Sequence, residues 1–586
     1  VKILLLCHAF NCLTQRFQSE LLGLGHQVSI EFDINDEVTL DAVEGFQPDL
    51  ILAPFLKRAI PEVIWRDHLC LIVHPGIVGD RGPSSLDWAI LNREQQWGVT
   101  ILQASEVMDG GDIWATETFL MPTASKSRIY RNQVTEAAIK ALRKVLQQLK
   151  DPTYSPEPLD YNRAEVAGRW RELMRQADRK IDWAVDSSEC IVTKINSADG
   201  NPGLLDRLLG VDCYLYNACT DYSLERLKGL EGLNSAKGEI IAKRDGALCI
   251  ATVDGAVWVS HLRAKPSQST LNHSKQRTLK LPATLVLESA LEAKGIEVPE
   301  LPVSESKSEG FQEIWSRIEG DRAYLYFNFY NGAMSSDQCL RLRDAYLCLA
   351  RMDIKAIVLM GGEDFWSNGI HLNLIEVAES PADESWRNIN GMNDLTQAII
   401  ETTDIITVSA IRANAGAGGV FLALACDIVV IREGVILNPH YKGMGNLYGS
   451  EYWTYLLPKR VGQQVAEQIT RQRLPMMAEE AVELGLADQS FSSERFEPEL
   501  NQLLDRCLTE AEFESFIHTK RAERLRDEAE KPLAEYRAEE LQQMKLNFYG
   551  FDPSYHVARY HFVYKLPKAR TPSYLAMHRK ISKQAS

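Results

Sequence analysis

No CxxC pair occurs anywhere in the chain, and its eleven cysteines, an odd number, are scattered from Cys7 to Cys507. That spacing excludes a zinc ribbon and a disulfide framework, so reduced thiols and a cytoplasmic setting are expected. Long apolar runs are missing too. The opening VKILLLCHAF is too short for a secretory leader, and the most apolar later stretch, 420–431, is interrupted by Asp427. Both fall well short of the roughly 20 residues that cross a bilayer, so no membrane association is expected. Positive charge is in deficit: 64 Lys and Arg stand against 80 Asp and Glu, a net −16. A chain of that sign repels phosphate backbones, which excludes nucleic acid as a partner class. The turn after the first predicted strand, CHAFNCLTQR, has no GxGxxG, so a nicotinamide or flavin dinucleotide has no cradle there. No internal repeat is present.

What is there is enough for several cores. The chain has 586 residues, of which 45% are hydrophobic and 25% charged, a composition that excludes wholesale disorder and implies about three to five folded units. The first block alternates as a parallel α/β unit: strands at 2–6, 27–32, 49–54 and 70–73, a helix at 13–24 closed by Gly25, and a closing helix at 133–149. Between 191 and 262 the pattern changes to short β-like runs, ECIVTKI, GEIIAK, ALCIATVDG and AVWVSHL, separated by Gly, Asn and Asp turns. The stretch 293–310 has linker composition, including the run SESKSEG. A second α/β pattern then begins, with strands at 323–329 and 356–360 around a helix at 337–351. Residues 510–546 read as solvated packing helix. The expected divisions are 1–165, 166–292, a linker at 293–312, 313–512, and a helical extension at 513–586.

Two segments carry more polar and glycine-rich detail than packing requires. In CLIVHPGIVGDRGPSSLDWAI, His74 stands at the end of a predicted strand, where open α/β sheets put their ligands. A neutral imidazole there can take the proton that a nucleophile sheds on attacking a carbonyl, and Asp109 in the turn MDGGD can orient it. A structural histidine beside a commonplace Asp-Gly turn accounts for the same residues. The motifs HPGIVGDRGPSSLDWAI, WGVTILQ and MDGGDI resemble the signature of the formyltetrahydrofolate-dependent formyltransferases over roughly 1–290. That resemblance implies a Rossmann-like first domain, a small β-rich (OB-like) second domain, and His74 and Asp109 in the family's catalytic positions. The family's asparagine, two residues before the histidine, is Ile72 here. Loss of that amide removes a donor to the formyl oxygen, an effect on the order of 3 kcal/mol, which counts against ordinary amine formylation. A thiol acceptor, with its pKa of about 8.5 and intrinsic nucleophilicity, would soften the loss.

The second segment pairs IVLMGGEDFWSNGIHL with VSAIRANAGAGGVFLALACDIVV. Two glycine turns of this kind either aim backbone N–H groups at one developing oxyanion or simply let a helix pack tightly on a sheet. With NGAMSSDQ before them and NPHYKGMG after them, they resemble the crotonase superfamily of coenzyme A thioester enzymes over roughly 320–510. The resemblance implies a crotonase-type α/β spiral domain and an oxyanion hole from the N–H groups of Ile370 and Gly418. The two glutamates a hydratase needs are replaced by Phe421 and His440, which excludes enoyl hydration. Tyr441 and Glu451, in GNLYGSEYW, remain as acid–base candidates, with His440 as a rival base.

The α/β multidomain chain as a whole, including its opening ILLLCHAFNCLTQR, resembles a family of hydrogenase maturation proteins. That resemblance implies formyl transfer from 10-formyltetrahydrofolate to coenzyme A and then breakdown of formyl-coenzyme A to carbon monoxide for the iron of a nickel–iron hydrogenase. The expected partners are small-molecule substrates and the hydrogenase maturation machinery. Asn331, Gln15 and Arg131 are the expected contacts to coenzyme A, and no metal site is expected. A hydrolase releasing formate and a catalytically retired assembly scaffold stand as alternatives.

Overall fold

A computed structural model of the chain describes residues 1–222, 237–266, 278–301 and 310–580. Packing divides it into two units. One comprises Val1–Thr278, Pro282–Glu300 and the returning C-terminal stretch Pro567–Ser586; the other comprises Leu279–Leu281 and Leu301–Leu566. The residues 302–309, which carry most of the SESKSEG run, lie outside the described residues. No helix among the described residues is long and apolar enough to cross a membrane.

The first unit is built on a six-stranded sheet of β1 (Lys2–Cys7), β2 (Gln27–Phe32), β3 (Leu50–Phe55), β4 (Cys70–His74), β5 (Gln96–Gln103) and β6 (Ile113–Leu120), in the order β2-β1-β3-β4-β5-β6. The first four are parallel, and β5 and β6 join antiparallel. Ile3, Leu4, Leu5, Ile51 and Leu52 are fully buried, as expected for a sheet covered on both faces, and each contributes roughly 1.5–3 kcal/mol of burial. Asn11 caps the helix Cys12–Gly23 by accepting from the Thr14 N–H, one residue earlier than the apolar spacing suggests. The closing helix Thr135–Gln148 is preceded by a π-helical turn, Tyr130–Val134.

The β-rich part of this unit corrects one expectation. ECIVTKI is not a strand: it lies in the helix Ser188–Ser197, where the Ser187 side chain caps the Cys190 N–H and Ile191, Val192 and Ile195 form one buried stripe. The β-branched run imitates a strand locally, but the cap and the i, i+1, i+4 spacing decide for helix. Two antiparallel strands that the runs did not reveal, Leu204–Leu208 and Val211–Asp221, begin the sheet, which continues through Ala256–Ala264, Ala247–Ala251 and Ile240–Arg244.

The C-terminal stretch returns to cover β2, an edge strand of the first sheet. Ile30 N donates to Leu575 O (3.1 Å) and Phe32 N to Thr571 Oγ1 (2.8 Å). Glu31, fully buried, meets His578 Nε2 at 3.0 Å and Arg579 at 2.8 Å, and also accepts from the Thr571 hydroxyl. An open edge with free backbone groups invites pairing with another chain, and this strap occupies it.

The second unit has a six-stranded sheet ordered Ile314–Glu319, Arg322–Phe327, Ala356–Gly361, Ile406–Ile411, Ile428–Arg432 and Gln489–Phe491. Its first pair is antiparallel and the rest parallel. The edge strand Ile314–Glu319 was hidden by its charged outer half. Two small sheets accompany it: Ala333–Met334 with Gly369–Ile370, and Ala415–Gly416 with Ile436–Asn438 and Met476–Met477. The helix Pro381–Ile400, started by the Ser380 cap and a proline in its first turn, buries Asn388, Met392, Asn393 and Leu395 among others. The predicted exposed tail is two helices, Glu510–Glu530 and Leu533–Tyr549, parted at Pro532, and the second buries Leu533, Glu540, Met544 and Phe548.

Candidate active sites

In the first unit His74 closes β4, and the loop after it is tied down at every turn. Ser85 Oγ and Trp97 Nε1 both donate to Pro75 O, and Thr100 Oγ1 donates to Gly76 O. The His74 ring is buried and bridges two carboxylates: Nε2 lies 3.0 Å from Asp80 Oδ2, and Nδ1 lies 3.6 Å from Asp109 Oδ2. Asp109 sits in the left-handed region (φ 51°) and accepts from the Gly82 N–H at 3.1 Å. Asp80, fully buried, also accepts from Arg171 Nε at 2.9 Å, and the Arg171 guanidinium lies 5.3 Å from the Trp97 ring centroid. A Cβ on Gly76 would stand 2.4 Å from His74 Nε2, so the glycine makes room for the ring. Half-buried Ile72 shares a face of β4 with His74 and packs against the apolar core.

Gln15 and Arg131 belong to this unit. Gln15 Nε2 donates to Phe10 O at 3.1 Å, at the start of the helix that follows β1. Arg131 lies in the π-helical turn, next to Tyr130, whose ring is 6.2 Å from that of Phe55 at the end of β3. Both therefore sit at the carboxyl edge of the parallel strands, as His74 does.

In the second unit the two glycine turns converge. The strand Gly369–Ile370 pairs with Ala333–Met334, and a Cβ on Gly369 would lie 3.2 Å from the Gly418 N. Gly418 opens the helix Gly418–Leu424, after Ala417 at φ 49°. A Cβ on Gly418 would lie 2.8 Å from Glu451 Oε1, which puts the Glu451 carboxyl against this helix start. Asn331, exposed at φ 56°, gives its carbonyl to Asn368 Nδ2 at 2.8 Å beside the same turn.

The Tyr441 hydroxyl bonds the Glu451 carboxyl and lies 2.9 Å from Ser450 O. Burial pushes the Glu451 carboxyl up to about 7, with the Tyr441 bond opposing. Burial, reinforced by Glu451, pushes the phenol well above its ordinary range. The Phe421 ring stacks on Tyr441 (centroids 5.1 Å, 19° between planes) and is itself fully buried, so the pair has an apolar wall on that side. His440 is differently placed. Burial and Arg473 pull its imidazole down to about 4, and its Nδ1 has no hydrogen-bond partner among the described residues. The structure thus joins Glu451 and Tyr441 by a hydrogen bond beside Gly418, and leaves His440 outside that pair.

Three family models match the chain: formyl transferase over 31–146, the formyl transferase C-terminal domain over 173–273, and enoyl-CoA hydratase/isomerase over 336–554. The hydrogenase maturation factor HoxX of Bradyrhizobium diazoefficiens is 48% identical over 99% of this chain and 97% of its own length. The chain belongs to the HoxX/HypX family of hydrogenase maturation factors. The crystal structure of HypX from Aquifex aeolicus in complex with tetrahydrofolic acid superposes with a TM-score of 0.91 at 44% identity, covering 98% of both chains. The methionyl-tRNA formyltransferase of Fervidobacterium nodosum is 28% identical over 39% of this chain and 70% of its own. A HypX chain thus joins a formyltransferase part to an enoyl-CoA hydratase/isomerase-like part, and the two sites described above fall one in each.

Four residues at these sites escaped sequence reasoning. Asp80 lies inside the motif that holds His74, beside Arg81 and among glycines and prolines, and could have been found there. Arg171 reaches Asp80 from 91 residues away, Asn393 reads as part of a helix face, and Glu540 reads as one more acid on a charged helix; only the fold brings them in.

Proposed function

We propose that the chain transfers a formyl group from 10-formyltetrahydrofolate to the thiol of coenzyme A and then breaks formyl-coenzyme A into carbon monoxide and coenzyme A, for the iron of a nickel–iron hydrogenase. The observation that carries the reading is the buried Glu451–Tyr441 pair, walled by Phe421 and set against the Gly418 helix start. The tetrahydrofolic acid bound by the Aquifex HypX supports the first substrate, and the Bradyrhizobium relative, a hydrogenase maturation factor, supports the destination.

In the first step His74, held by Asp80 and Asp109, takes the thiol proton as sulfur attacks the formyl carbon. The carbon–nitrogen bond then breaks, and the proton passes to the departing folate nitrogen. Gln15, Arg131 and Asn331 bind polar groups of coenzyme A. A thiol acceptor suits a site where Ile72 supplies no amide to the formyl oxygen.

The second step turns on what a formyl thioester lacks. It has no carbon next to the carbonyl, so the only hydrogen a base can remove is on the carbonyl carbon. Ile370 and Gly418 N–H groups hold the thioester oxygen. Glu451, ionised above about 7, takes the formyl proton as the carbon–sulfur bond breaks, which leaves carbon monoxide and a thiolate; the same proton, relayed by Tyr441, restores the thiol. Phe421 keeps water from the carbonyl, and without water there is no formate.

Supplied formyl-coenzyme A tests this half directly. Wild-type protein releases headspace carbon monoxide, and Glu451→Gln lowers the rate about 100-fold or more, the size typical of removing a general base. Stoichiometric formate with no carbon monoxide would replace the reading with a hydrolase.

A further inference from the structure

Glu451 and its neighbour Tyr452 both lie in the left-handed region, at φ 62° and 57°. Neither is a glycine, and two consecutive L-residues there persist only where their surroundings hold them. The surroundings are two buried side chains from two different helices. On Pro381–Ile400, Asn393 Oδ1 accepts from the Glu451 N–H at 2.7 Å; on Leu533–Tyr549, Glu540 Oε2 accepts from the Tyr452 N–H at 2.9 Å. The other Glu540 oxygen takes the Thr454 N–H (2.9 Å) and hydroxyl (2.6 Å) at the start of the helix Trp453–Val461. Asn393 and Glu540 are both fully buried.

The asparagine amide is committed to this one bond, since Nδ2 has no partner among the described residues. Leaving a buried donor unmade is costly, so the orientation is retained for what Oδ1 does. Flipping the amide would set Nδ2 against the Glu451 N–H, donor to donor, so the bond to Glu451 fixes which way the amide points.

We propose that Asn393 and Glu540 are positioning residues that clamp the Glu451–Tyr452 backbone from opposite partners, so that the Glu451 carboxyl stays against Gly418 and on Tyr441. The proposal rests on the reading of Glu451 as the base for the formyl proton, and it makes the helix Leu533–Tyr549 part of the second active site.

The test uses the full chain with supplied formyl-coenzyme A. Asn393→Leu and Glu540→Leu replace the acceptors by apolar side chains; each is expected to lower kcat about 100-fold, as a misplaced group does, with KM within about twofold. Asn393→Asp keeps an oxygen for the same N–H and is expected to recover activity to within about tenfold of wild type; Glu540→Gln keeps an oxygen for the Tyr452 N–H but sets its amide nitrogen against the Thr454 N–H, and is expected to fall between wild type and Glu540→Leu. Crystal structures of the leucine variants are expected to show the Glu451 carboxyl away from Tyr441. Should a leucine variant not fold, Asn393→Ser, whose hydroxyl falls short of the Glu451 N–H, carries the same expectation.

Wild-type kcat in the leucine variants overturns the proposal, as does a KM increase alone or a Glu451 that has not moved. If the wild-type protein releases no carbon monoxide from formyl-coenzyme A, it is the role of Glu451 that fails. The clamp is then decided by the crystal structures, where an undisplaced Glu451 would refute it.

Discussion

Glu451 keeps its proton far above the range of an exposed carboxylic acid because burial penalises its charge, and that has consequences for both rate and stability. Its pKa is about 7 in the fold against 4.5 for a free group. As the proposed base it works ionised, so carbon monoxide release from formyl-coenzyme A should rise with pH through about 7, and Glu451→Gln should abolish that limb along with the activity. For stability the sign is opposite. Between 4.5 and about 7 the folded chain binds the proton more tightly than the unfolded one, so folding stability falls as pH rises through that window. Glu451→Gln should therefore stabilise the protein above pH 7, by at most on the order of 3 kcal/mol, and not below pH 4.5; thermal unfolding across that range reads it. At the other site, His74→Ala should stop folate-dependent product formation and leave breakdown of supplied formyl-coenzyme A intact. Loss of both reactions would contradict a division of labour between two sites. His74, Asp109, Tyr441 and Glu451 were legible because each sits in a short motif whose glycines and prolines mark a turn. Asp80's bridging role, Asn393 and Glu540 were not, because what makes them matter is a partner that only the fold brings near.

Among the elements, the turn 445–452 places the second site. Gly449 stands at φ 100°, and a Cβ there would meet the Tyr441 ring at 2.1 Å. Gly449→Ala should therefore displace the phenol, costing about 1–3 kcal/mol of stability from overpacking and lowering carbon monoxide release while His74-dependent transfer persists. Headspace gas and transfer measured on the same variant check it. Parallel strands read clearly from sequence, since burial on both faces makes them continuous apolar runs: β1 to β4 lie within a residue of their expected bounds. What misled was local mimicry. ECIVTKI has strand composition but a helix cap, and Ile314–Glu319 is an edge strand whose outer half is charged. The helix Leu533–Tyr549 looked solvated because its buried residues are spaced among many charges and include a glutamate that serves as a cap.

At the scale of the whole molecule, the chain leaves its first unit, builds the second, and returns at Pro567 to finish the first. Composition could not foresee this, since strap residues such as Thr571, His578 and Arg579 look like an ordinary polar tail. Glu31 is the centre of that closure: removing it takes a carboxylate partner from buried His578 and half-buried Arg579, so Glu31→Ala should cost about 1.5–3 kcal/mol. Denaturant unfolding of the variant measures it, and a cost below about 1 kcal/mol would mean the strap is only a surface contact. The central claim concerns the path of one carbon atom through the chain. It is tested most directly by giving the full-length protein 10-formyltetrahydrofolate labelled with carbon-13 in its formyl group, with and without coenzyme A, and measuring labelled gas and labelled formate together. The account predicts labelled carbon monoxide that requires coenzyme A; labelled formate in its place, or labelled carbon monoxide formed without coenzyme A, would contradict it.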